Sequence, residues 1–266
     1  MENLFKRTVS SLVLIFIVFG MMLILKPIFL SIIISGFIML VFYEYWEIVN
    51  KKAPGIMKIM YFFSAFGIML ASCCNNFIDI AVCSGLALLF LSAMLTKIDF
   101  KKSSKYLVSG LFGLIYVGIL GIYLIKLGYL PQGAFLLVYL IFIVKTGDIG
   151  AYIFGSKFGT IKIMPRISPK KSLQGCIAGM ITSVLCGLAL NYIYSLFNIF
   201  LFNNLELVIL TAILNVIAQF GDMCESVLKR GYDIKDSGGV IPGIGGLLDL
   251  VDSLVFAVPV LYFYLV

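Results

Sequence analysis

Histidine is absent from the 266 residues of this chain. Its absence excludes a Ser-His-Asp triad, a histidine general base and a histidine-ligated zinc site. Charge is also scarce, because Asp, Glu, Lys and Arg make up only 12% of the residues, against about a quarter in soluble domains. Any chemistry must therefore use carboxylates, basic side chains, hydroxyls and bound ions.

The cysteines form no metal or redox motif. Six are present, and no pair has the Cys-x-x-Cys spacing. All but Cys224 lie in or beside apolar runs, where a free cysteine behaves as a small apolar residue. A Walker-type phosphate loop is absent too, since no glycine-rich stretch ends in Gly-Lys-Ser or Gly-Lys-Thr.

Long apolar runs dominate what is present, and 62% of the residues are hydrophobic. The runs are long enough to cross a bilayer as helices and lack the alternation of barrel strands. The predicted segments are 9–25, 28–46, 56–73, 77–95, 106–125, 132–153, 174–195, 205–221 and 246–266. The predicted fold is all-α, a polytopic membrane protein with about nine transmembrane helices in a single membrane domain, 1–266.

The basic residues predict the orientation in the membrane. In a nine-span arrangement with a cytoplasmic amino terminus, only Lys26 and Lys126 of the 20 basic residues fall on the outer side. The net charge of +7 is therefore loop charge and indicates no nucleic-acid partner. No small-residue cleavage site follows the first run, so we predict a retained helix. The two longest connections, 154–173 and 222–245, face the cytoplasm and are the places to look for a site.

The first candidate stretch is "GDMCESVLKRGYDIKDSGG", residues 221–239. If the eighth helix continues to its basic pair, a carboxylate, a hydroxyl and two cations share one face. These residues are Asp222, Ser226, Lys229 and Arg230. Such a face suits a metal-bound polyphosphate. An ordinary charged helix end, with either an Asp/Arg pair or a Glu225–Lys229 pair, explains the same residues equally well.

The second stretch is "SGGVIPGIGGLLDLVDS", residues 237–253. Five glycines and a proline precede a helix, so free backbone amides can face an anion. Asp249 and Asp252 follow at a spacing that puts both on one helix face, although carboxylates are costly in a membrane segment. The alternative is a flexible loop with two structural acids. Glu44 and Glu47 end the second segment, where they either support a site or mark the membrane edge.

The third stretch is "GDIGAYIFGSKFGTIKIMPRISPKKSLQG", residues 147–175. Asp148 and Tyr152 share a helix face. The run Ser-Pro-Lys-Lys-Ser at 168–172 could begin the seventh helix and present cations and hydroxyls to phosphate. A positive-inside loop would explain the lysines, but neither the glycine spacing nor Asp148.

Together these stretches resemble the phosphatidate cytidylyltransferase (CDP-diacylglycerol synthase) family. That family's signature runs Ser-x-x-Lys-Arg, Lys-Asp-Ser-Gly, Pro-Gly-His-Gly-Gly and Asp-Arg-x-Asp-Ser, and the similar stretches here are 226–230, 235–238, 242–246 and 249–253. Its Asp-x-x-Ala-Tyr-x-x-Gly and Ser-Pro-Lys-Lys blocks are similar to 148–155 and 168–175. The match covers the carboxyl-terminal half, and the amino-terminal half agrees only as an apolar bundle.

The resemblance implies a nucleotidyltransferase of phospholipid biosynthesis. It would convert CTP and phosphatidate, or a similar phospholipid, into CDP-diacylglycerol and pyrophosphate, with Mg²⁺ and room for a second cation. The family associates metal binding with the acids that correspond to Asp222 and Asp249. Predicted catalytic residues are Asp222, Asp249, Lys229 and Asp252. Predicted substrate- or phosphate-binding residues are Ser168, Lys170, Lys171, Ser226, Arg230, Lys235, Asp236 and Asp148.

Four positions depart from the family pattern. Ile244 replaces His, Leu250 replaces Arg, Leu173 replaces Trp and Gln174 replaces Glu. The missing histidine is compatible with the chemistry, because the second pKa of a phosphate monoester is about 6 and the attacking oxygen needs no general base. The missing arginine removes a cation beside the metal acids, and the lysines of the two loops are the candidates to compensate.

The predicted arrangement is a helical scaffold at about 1–130 and a catalytic half at about 140–266, with a polar cleft facing the cytoplasm. The predicted location is the cell membrane, and a homodimer is left open. Three other interpretations also stay open. One is a CTP-dependent kinase of polyprenol or phytol type, and another is a cation-coupled transporter, since intramembrane acids and broken helices also mark ion paths. The third is a degenerate family member kept as a scaffold.

Overall fold

The computed structural model describes residues 20, 25–74, 77–199, 201–234, 237–238 and 246–266. Within these residues, eight helices are long and apolar enough to cross a membrane. This finding confirms the prediction of an all-α, polytopic membrane protein. The first predicted segment, 9–25, falls outside the described residues except for Gly20 and Leu25.

The described chain contains nine helices and one short hairpin. In order, they are α1 (Pro27–Val49), α2 (Gly55–Cys73), α3 (Ile78–Leu95), α4 (Phe100–Tyr129), α5 (Gly133–Phe158), β1 (Lys162–Met164), β2 (Ser168–Ser172), α6 (Leu173–Leu196), α7 (Asn204–Gly231), α8 (Leu247–Val251) and α9 (Leu254–Leu265). The chain divides into two compact units. The first is Met1–Leu130 with Asp236–Leu250, and the second is Pro131–Lys235 with Val251–Val266.

Aromatic side chains form the core of the first unit, where α1 packs against α2 and α4. The rings of Trp46 and Tyr61 lie 4.5 Å apart between centroids, and both side chains are buried. Tyr45 donates a hydrogen bond to the Ser109 carbonyl at 2.8 Å. At Gly113 of α4, a Cβ would overlap the Tyr45 ring, so only glycine fits there. These contacts fix the rotation of α1, and therefore the direction in which its carboxylates point.

Glycines bring the backbones of α5 and α6 together in the second unit. A Cβ at Gly179 would lie 2.7 Å from the Gly147 carbonyl oxygen, and one at Gly175 would lie 2.9 Å from the Gly155 Cα. Small residues at such positions let membrane helices approach closely and gain van der Waals contact. The same device joins α7 to the final segment, since a Cβ at Gly221 would lie 2.7 Å from the Asp252 carbonyl oxygen.

Replacing Gly179 by valine is expected to destabilise the protein by about 3 kcal/mol, because the new side chain would overlap the Gly147 carbonyl oxygen and the Ala151 Cβ, neither of which can rotate away. The measurement is the loss of monodisperse protein on heating in detergent, followed by size-exclusion chromatography. Gly67→Val is the matched control, since nothing lies within 4 Å of a Cβ there. Equal melting temperatures for the two variants would contradict this packing.

The hairpin differs from the prediction for 168–172. That run is strand β2, antiparallel to β1 with Lys162 opposite Ser172, and it does not begin the seventh helix. Proline is tolerated in this two-stranded hairpin because both strands are edges. Helix α6 instead starts at Leu173, capped by the Ser172 hydroxyl, which accepts from the Gly175 amide at 3.2 Å.

The final segment is interrupted between its two aspartates and its carboxyl end. Helix α8 ends at Val251 and α9 begins at Leu254, so Asp252 and Ser253 form a turn. The Asp252 carboxylate accepts from the amide and the hydroxyl of Ser253, at 2.5 and 2.7 Å. Such local bonds compete with the helical ladder. The final segment is therefore not one regular helix, and Asp252 lies in the turn that follows α8.

The prediction of a single domain with a scaffold half and a catalytic half stays a prediction. One segment nevertheless crosses that division. Residues Asp236–Leu250 cluster with the first unit, although the sequence assigned them to the catalytic half. The first unit therefore contains Asp249, one of the two acids predicted to bind metal.

Candidate active site

Backbone amides hold the Asp249 carboxylate in the first unit. Its Oδ2 accepts from the amide of Ser237 at 3.0 Å and from that of Gly246 at 2.9 Å. The Asp249 amide in turn donates to the Ser237 hydroxyl at 3.3 Å. Asp249 is half-buried and lies in the first turn of α8. The two described parts of the glycine-rich stretch are thus tied together through this one aspartate.

Glu44 of α1 contacts the same stretch. Its Oε2 accepts from the Leu248 amide at 2.9 Å and from the Ser237 hydroxyl at 3.5 Å. From the sequence, Glu44 is either a support or a membrane-edge residue, and it lies outside the predicted catalytic half. The signal that could have singled it out is a carboxylate inside an apolar segment, which is costly and usually functional.

Three carboxylates and two lysines converge in the second unit. Lys171 of β2 forms an ion pair with Asp222 of α7, with 2.6 Å between Nζ and Oδ2. Lys145 and Asp148 of α5 pair at 3.5 Å. Asp222 also interacts electrostatically with both Asp148 and Asp252, and Lys145 offsets their charge. We call these five residues the acidic cluster. It carries a net charge of about −1 when all five are ionised. The cluster therefore favours binding of a cation over binding of an anion.

The basic end of α7 is internally paired. The helix continues to Gly231, as the predicted stripe of Asp222, Ser226, Lys229 and Arg230 requires. Lys229 pairs with the buried Glu225 at 2.5 Å, which is the alternative that the sequence left open. Arg230 donates to the carbonyls of Ile167 and Ile234, at 3.4 and 3.2 Å, and so links α7 to the hairpin.

For the remaining predicted residues, the structure gives the element and the exposure of the side chain. Ser168 and Lys170 lie on β2, with Ser168 half-buried and Lys170 exposed. Ser226 is half-buried on α7. Lys235 and Asp236 lie outside the described residues. The roles assigned to all of these residues stay predictions.

A ladder of amide side chains on α7 precedes Asp222, and no sequence motif pointed to it. Gln219 of α7 donates to the Cys176 carbonyl at 3.0 Å and to Asn215 at 2.6 Å. Asn215 donates to the buried Ser183 hydroxyl at 2.7 Å. Hydrogen bonds between membrane helices fix their relative rotation. Two amides four residues apart in an apolar helix were the available signal.

The donor types fit magnesium. Asp222 and Asp249 offer hard carboxylate oxygens, which Mg²⁺ prefers. In the described part of the chain, no group of three or more His, Cys, Asp or Glu is arranged as a metal site. Magnesium commonly uses one or two carboxylates together with water and substrate phosphates, rather than a protein cage. Each aspartate is therefore a suitable partial ligand for a metal–nucleotide complex.

Comparison with known proteins identifies the chain. Residues 5–266 match the model of the cytidylyltransferase family. The chain belongs to this family. A phosphatidate cytidylyltransferase of Staphylococcus saprophyticus is 32% identical over 252 residues, which cover 90% of this chain and 94% of the relative. That of Staphylococcus haemolyticus is 32% identical over 251 residues, with the same coverage. That of Bacillus subtilis is 39% identical over 152 residues, 57% of this chain and 55% of the relative.

Family membership confirms the resemblance and extends it. The carboxyl-terminal motifs alone carried the sequence argument, whereas the family match begins at residue 5. It therefore includes α1 and Glu44. The first unit belongs to the cytidylyltransferase family as fully as the motif-bearing segments do.

One of the four departures from the family pattern has a structural account. The Gln174 carbonyl oxygen accepts from the amides of Thr160 and of the next residue, both at 3.2 Å, and its amide donates to the Thr160 hydroxyl at 2.6 Å. A carboxylate could not make that last donation, so glutamine suits this position. Nothing in the structure explains Leu173 or Leu250. Ile244 lies outside the described residues.

Proposed function

We propose that this chain transfers the cytidylyl group of CTP to phosphatidate, giving CDP-diacylglycerol and pyrophosphate. The observation that carries the proposal is the alignment to phosphatidate cytidylyltransferases over 90% of the chain at 32% identity. In the described part of the chain, eight helices are long and apolar enough to span a membrane, which suits a substrate that stays in the bilayer. The acidic cluster and the Asp249 network supply the acids and cations that such a transfer uses.

The reaction is a displacement at the α-phosphorus of CTP. A phosphate oxygen of phosphatidate forms the new bond to that phosphorus, and the bond to the oxygen leading to the β-phosphate breaks. Pyrophosphate leaves with the electron pair. Because the attacking monoester is largely ionised at neutral pH, no proton has to be removed. A chain without histidine can therefore catalyse this step by positioning and electrostatic stabilisation.

We propose that Asp222 and Asp249 each act as a metal ligand. When bound, Mg²⁺ offsets charge on the triphosphate and on the leaving pyrophosphate. Lys171 orients the Asp222 carboxylate through the ion pair, and Asp252 and Asp148 add negative charge around it. Lys229, Arg230 and Lys170, with the hydroxyls of Ser168 and Ser226, contact phosphoryl oxygens of the two substrates in this proposal. Lys235 and Asp236 belong to the same proposed group.

We further propose that the site opens to the cytoplasmic face of the cell membrane. The basis is the placement of basic residues, because the loops 154–173 and 222–245 lie on the side that carries nearly all of them. The hairpin and the carboxyl end of α7 belong to these loops. CTP is a cytoplasmic nucleotide, so this orientation gives it direct access.

The test is a product analysis with purified protein in detergent–phosphatidate micelles. With Mg²⁺ and CTP labelled separately at the α- and γ-phosphates, we expect α-label in the lipid and release of pyrophosphate. Label from the γ-phosphate in the lipid would instead show a kinase. Absence of turnover with CTP and phosphatidate, from protein that is monodisperse and folded, would refute the proposal.

A further inference from the structure

Glu44 is a buried carboxylate inside a candidate membrane span. Its residue is only 5% exposed, and among the described residues no Lys or Arg forms an ion pair with it. Its Oε1 is buried and has no hydrogen-bond partner in the described part of the chain. Burial of an ionisable group without a counter-ion is unfavourable. Such a residue calls for a role that an apolar side chain cannot fill.

The other oxygen of Glu44 joins two pieces of chain nearly two hundred residues away. Oε2 accepts from the Leu248 amide at 2.9 Å and from the Ser237 hydroxyl at 3.5 Å. The Ser237 hydroxyl accepts from the Asp249 amide, and the Ser237 amide donates to the Asp249 carboxylate. Glu44 is therefore linked to Asp249 through Ser237 and, along the backbone, through Leu248.

Two glycines of the same stretch make room for this carboxylate. A Cβ at Gly238 would lie 2.8 Å from Glu44 Oε1, and a Cβ at Gly246 would lie 2.6 Å from Oε2. Both distances are shorter than a carbon–oxygen contact allows. The glycine pattern that the sequence suggested for an anion thus has a second cause, since glycine admits Glu44 at both positions and, at Gly246, the Ser237 hydroxyl as well.

Glu47 shows what an ordinary acid on the same helix does. It lies three residues further along α1 and pairs with Lys58 at 2.6 Å, with both side chains about a third exposed. That is a typical ion pair at a solvated edge. Glu44 differs in its burial, in the absence of a described basic partner and in its backbone contact at Leu248.

We propose that Glu44 is a positioning residue of the active site. It holds the segments 237–238 and 246–250 together, so that Asp249 presents its carboxylate in one orientation. Glu44 does not touch substrate in this proposal and acts through Ser237 and Leu248. The assignment rests on the proposed function, in which Asp249 binds the metal of the metal–nucleotide complex.

The experiment compares Glu44→Met and Glu44→Gln, with Glu47→Gln as the matched control. Methionine has a similar shape but no acceptor, whereas glutamine keeps a carbonyl oxygen for the Leu248 amide. Mutating a residue that orients a metal ligand typically lowers metal affinity or activity by about 10–100-fold. We expect kcat to fall by about that factor in Glu44→Met, with a raised Mg²⁺ requirement and a KM for phosphatidate within about twofold of wild type. Glu44→Gln should recover most of the rate, and Glu47→Gln should match wild type.

Thermal unfolding separates positioning from stability. A purely structural Glu44 predicts that rates per folded molecule stay at the wild-type level in every variant. That result, or equal rates for Glu44→Met and Glu44→Gln, would overturn the proposal. If Glu44→Met does not accumulate as folded protein, the cycle of Glu44→Ala with Ser237→Ala decides, because alanine also removes the acceptor and is smaller than methionine. If the two residues are coupled, the fold-decrease in kcat of the double variant is smaller than the product of the two single fold-decreases. A double variant whose decrease equals that product within about twofold would overturn the proposal.

Hydrogen–deuterium exchange distinguishes this inference from the proposed function. Wild-type protein that makes no CDP-lipid would refute the function by itself. Exchange in the peptide 246–253 needs no turnover, and it should be faster in Glu44→Met because the Leu248 amide loses its acceptor. The same peptide should be unchanged in Glu47→Gln. Equal exchange in Glu44→Met and wild type would overturn the role of Glu44 whether or not the enzyme is active.

Discussion

Asp222→Asn and Asp249→Asn are each expected to lower kcat for CDP-lipid formation by about 10³-fold, equivalent to about 4 kcal/mol of transition-state stabilisation. Asparagine keeps the size of the side chain and removes its charge. In the first variant, Lys171 loses the carboxylate that it contacts at 2.6 Å. In the second, the amides of Ser237 and Gly246 keep an acceptor, but that acceptor is neutral. The measurement is the initial rate with saturating CTP and phosphatidate over a range of Mg²⁺ concentrations.

Asp79→Asn is the control for these variants. Asp79 is an exposed acid in the first turn of α3, so the same change of charge should leave the rate unaltered. Size-exclusion profiles and melting temperatures show whether each variant is folded. A folded Asp222→Asn or Asp249→Asn protein that keeps more than a tenth of the wild-type rate would contradict the metal assignment for that residue.

Lys171→Met is expected to lower kcat by about 100-fold, although its neighbour Lys170 looks equivalent in the sequence. Lys171 is half-buried and pairs with Asp222, whereas Lys170 is exposed on β2. Removing Lys171 leaves the acidic cluster with a single lysine and frees Asp222 to rotate. Removing Lys170 takes away one solvated charge, and the expected effect is about a fivefold increase in KM. Steady-state kinetics with CTP and phosphatidate varied in turn separates the two parameters.

A Lys171→Arg variant tests whether charge alone accounts for the effect. Arginine keeps the positive charge but spreads it over a planar fork, so partial recovery of kcat is expected. If Lys171→Met and Lys170→Met give the same kinetic profile, the ion pair with Asp222 has no catalytic role. The two lysines would then act only as neighbouring positive charges.

Hydropathy was a reliable guide to where the chain crosses the membrane. The predicted segment 56–73 is α2, Gly55–Cys73, and 174–195 is α6, Leu173–Leu196. A helix needs a minimum apolar length to cross a bilayer, so these boundaries can be predicted from the local amino-acid composition. The guide failed where helices leave the lipid. Helix α4 begins at Phe100 rather than 106, and α7 continues to Gly231 rather than 221, because polar turns extend a helix without adding to its apolar run.

The motifs single out candidate residues but do not predict how those residues are arranged. The sequence singled out Asp222, Asp249 and Lys171, but no local pattern predicts that Lys171 pairs with Asp222. The partners of Glu44 were out of reach for the same reason, since they lie at 237 and 248. Such contacts depend on tertiary packing. The aromatic core that fixes the rotation of α1 is one example. The periodicity of the sequence does not predict which way the side chains of α1 then point.

The Lys171–Asp222 ion pair also couples the binding of ligands of opposite charge. A phosphate that binds Lys171 must compete with the carboxylate, and a cation that binds Asp222 must compete with the ammonium group. Either ligand alone therefore meets a partner that is already engaged. When the phosphate and the cation bind together, the Lys171–Asp222 ion pair is replaced by two ion pairs, one between Lys171 and the phosphate and one between Asp222 and the cation. Cation and nucleotide should accordingly bind with positive cooperativity, and each should raise the affinity of the other by the same factor.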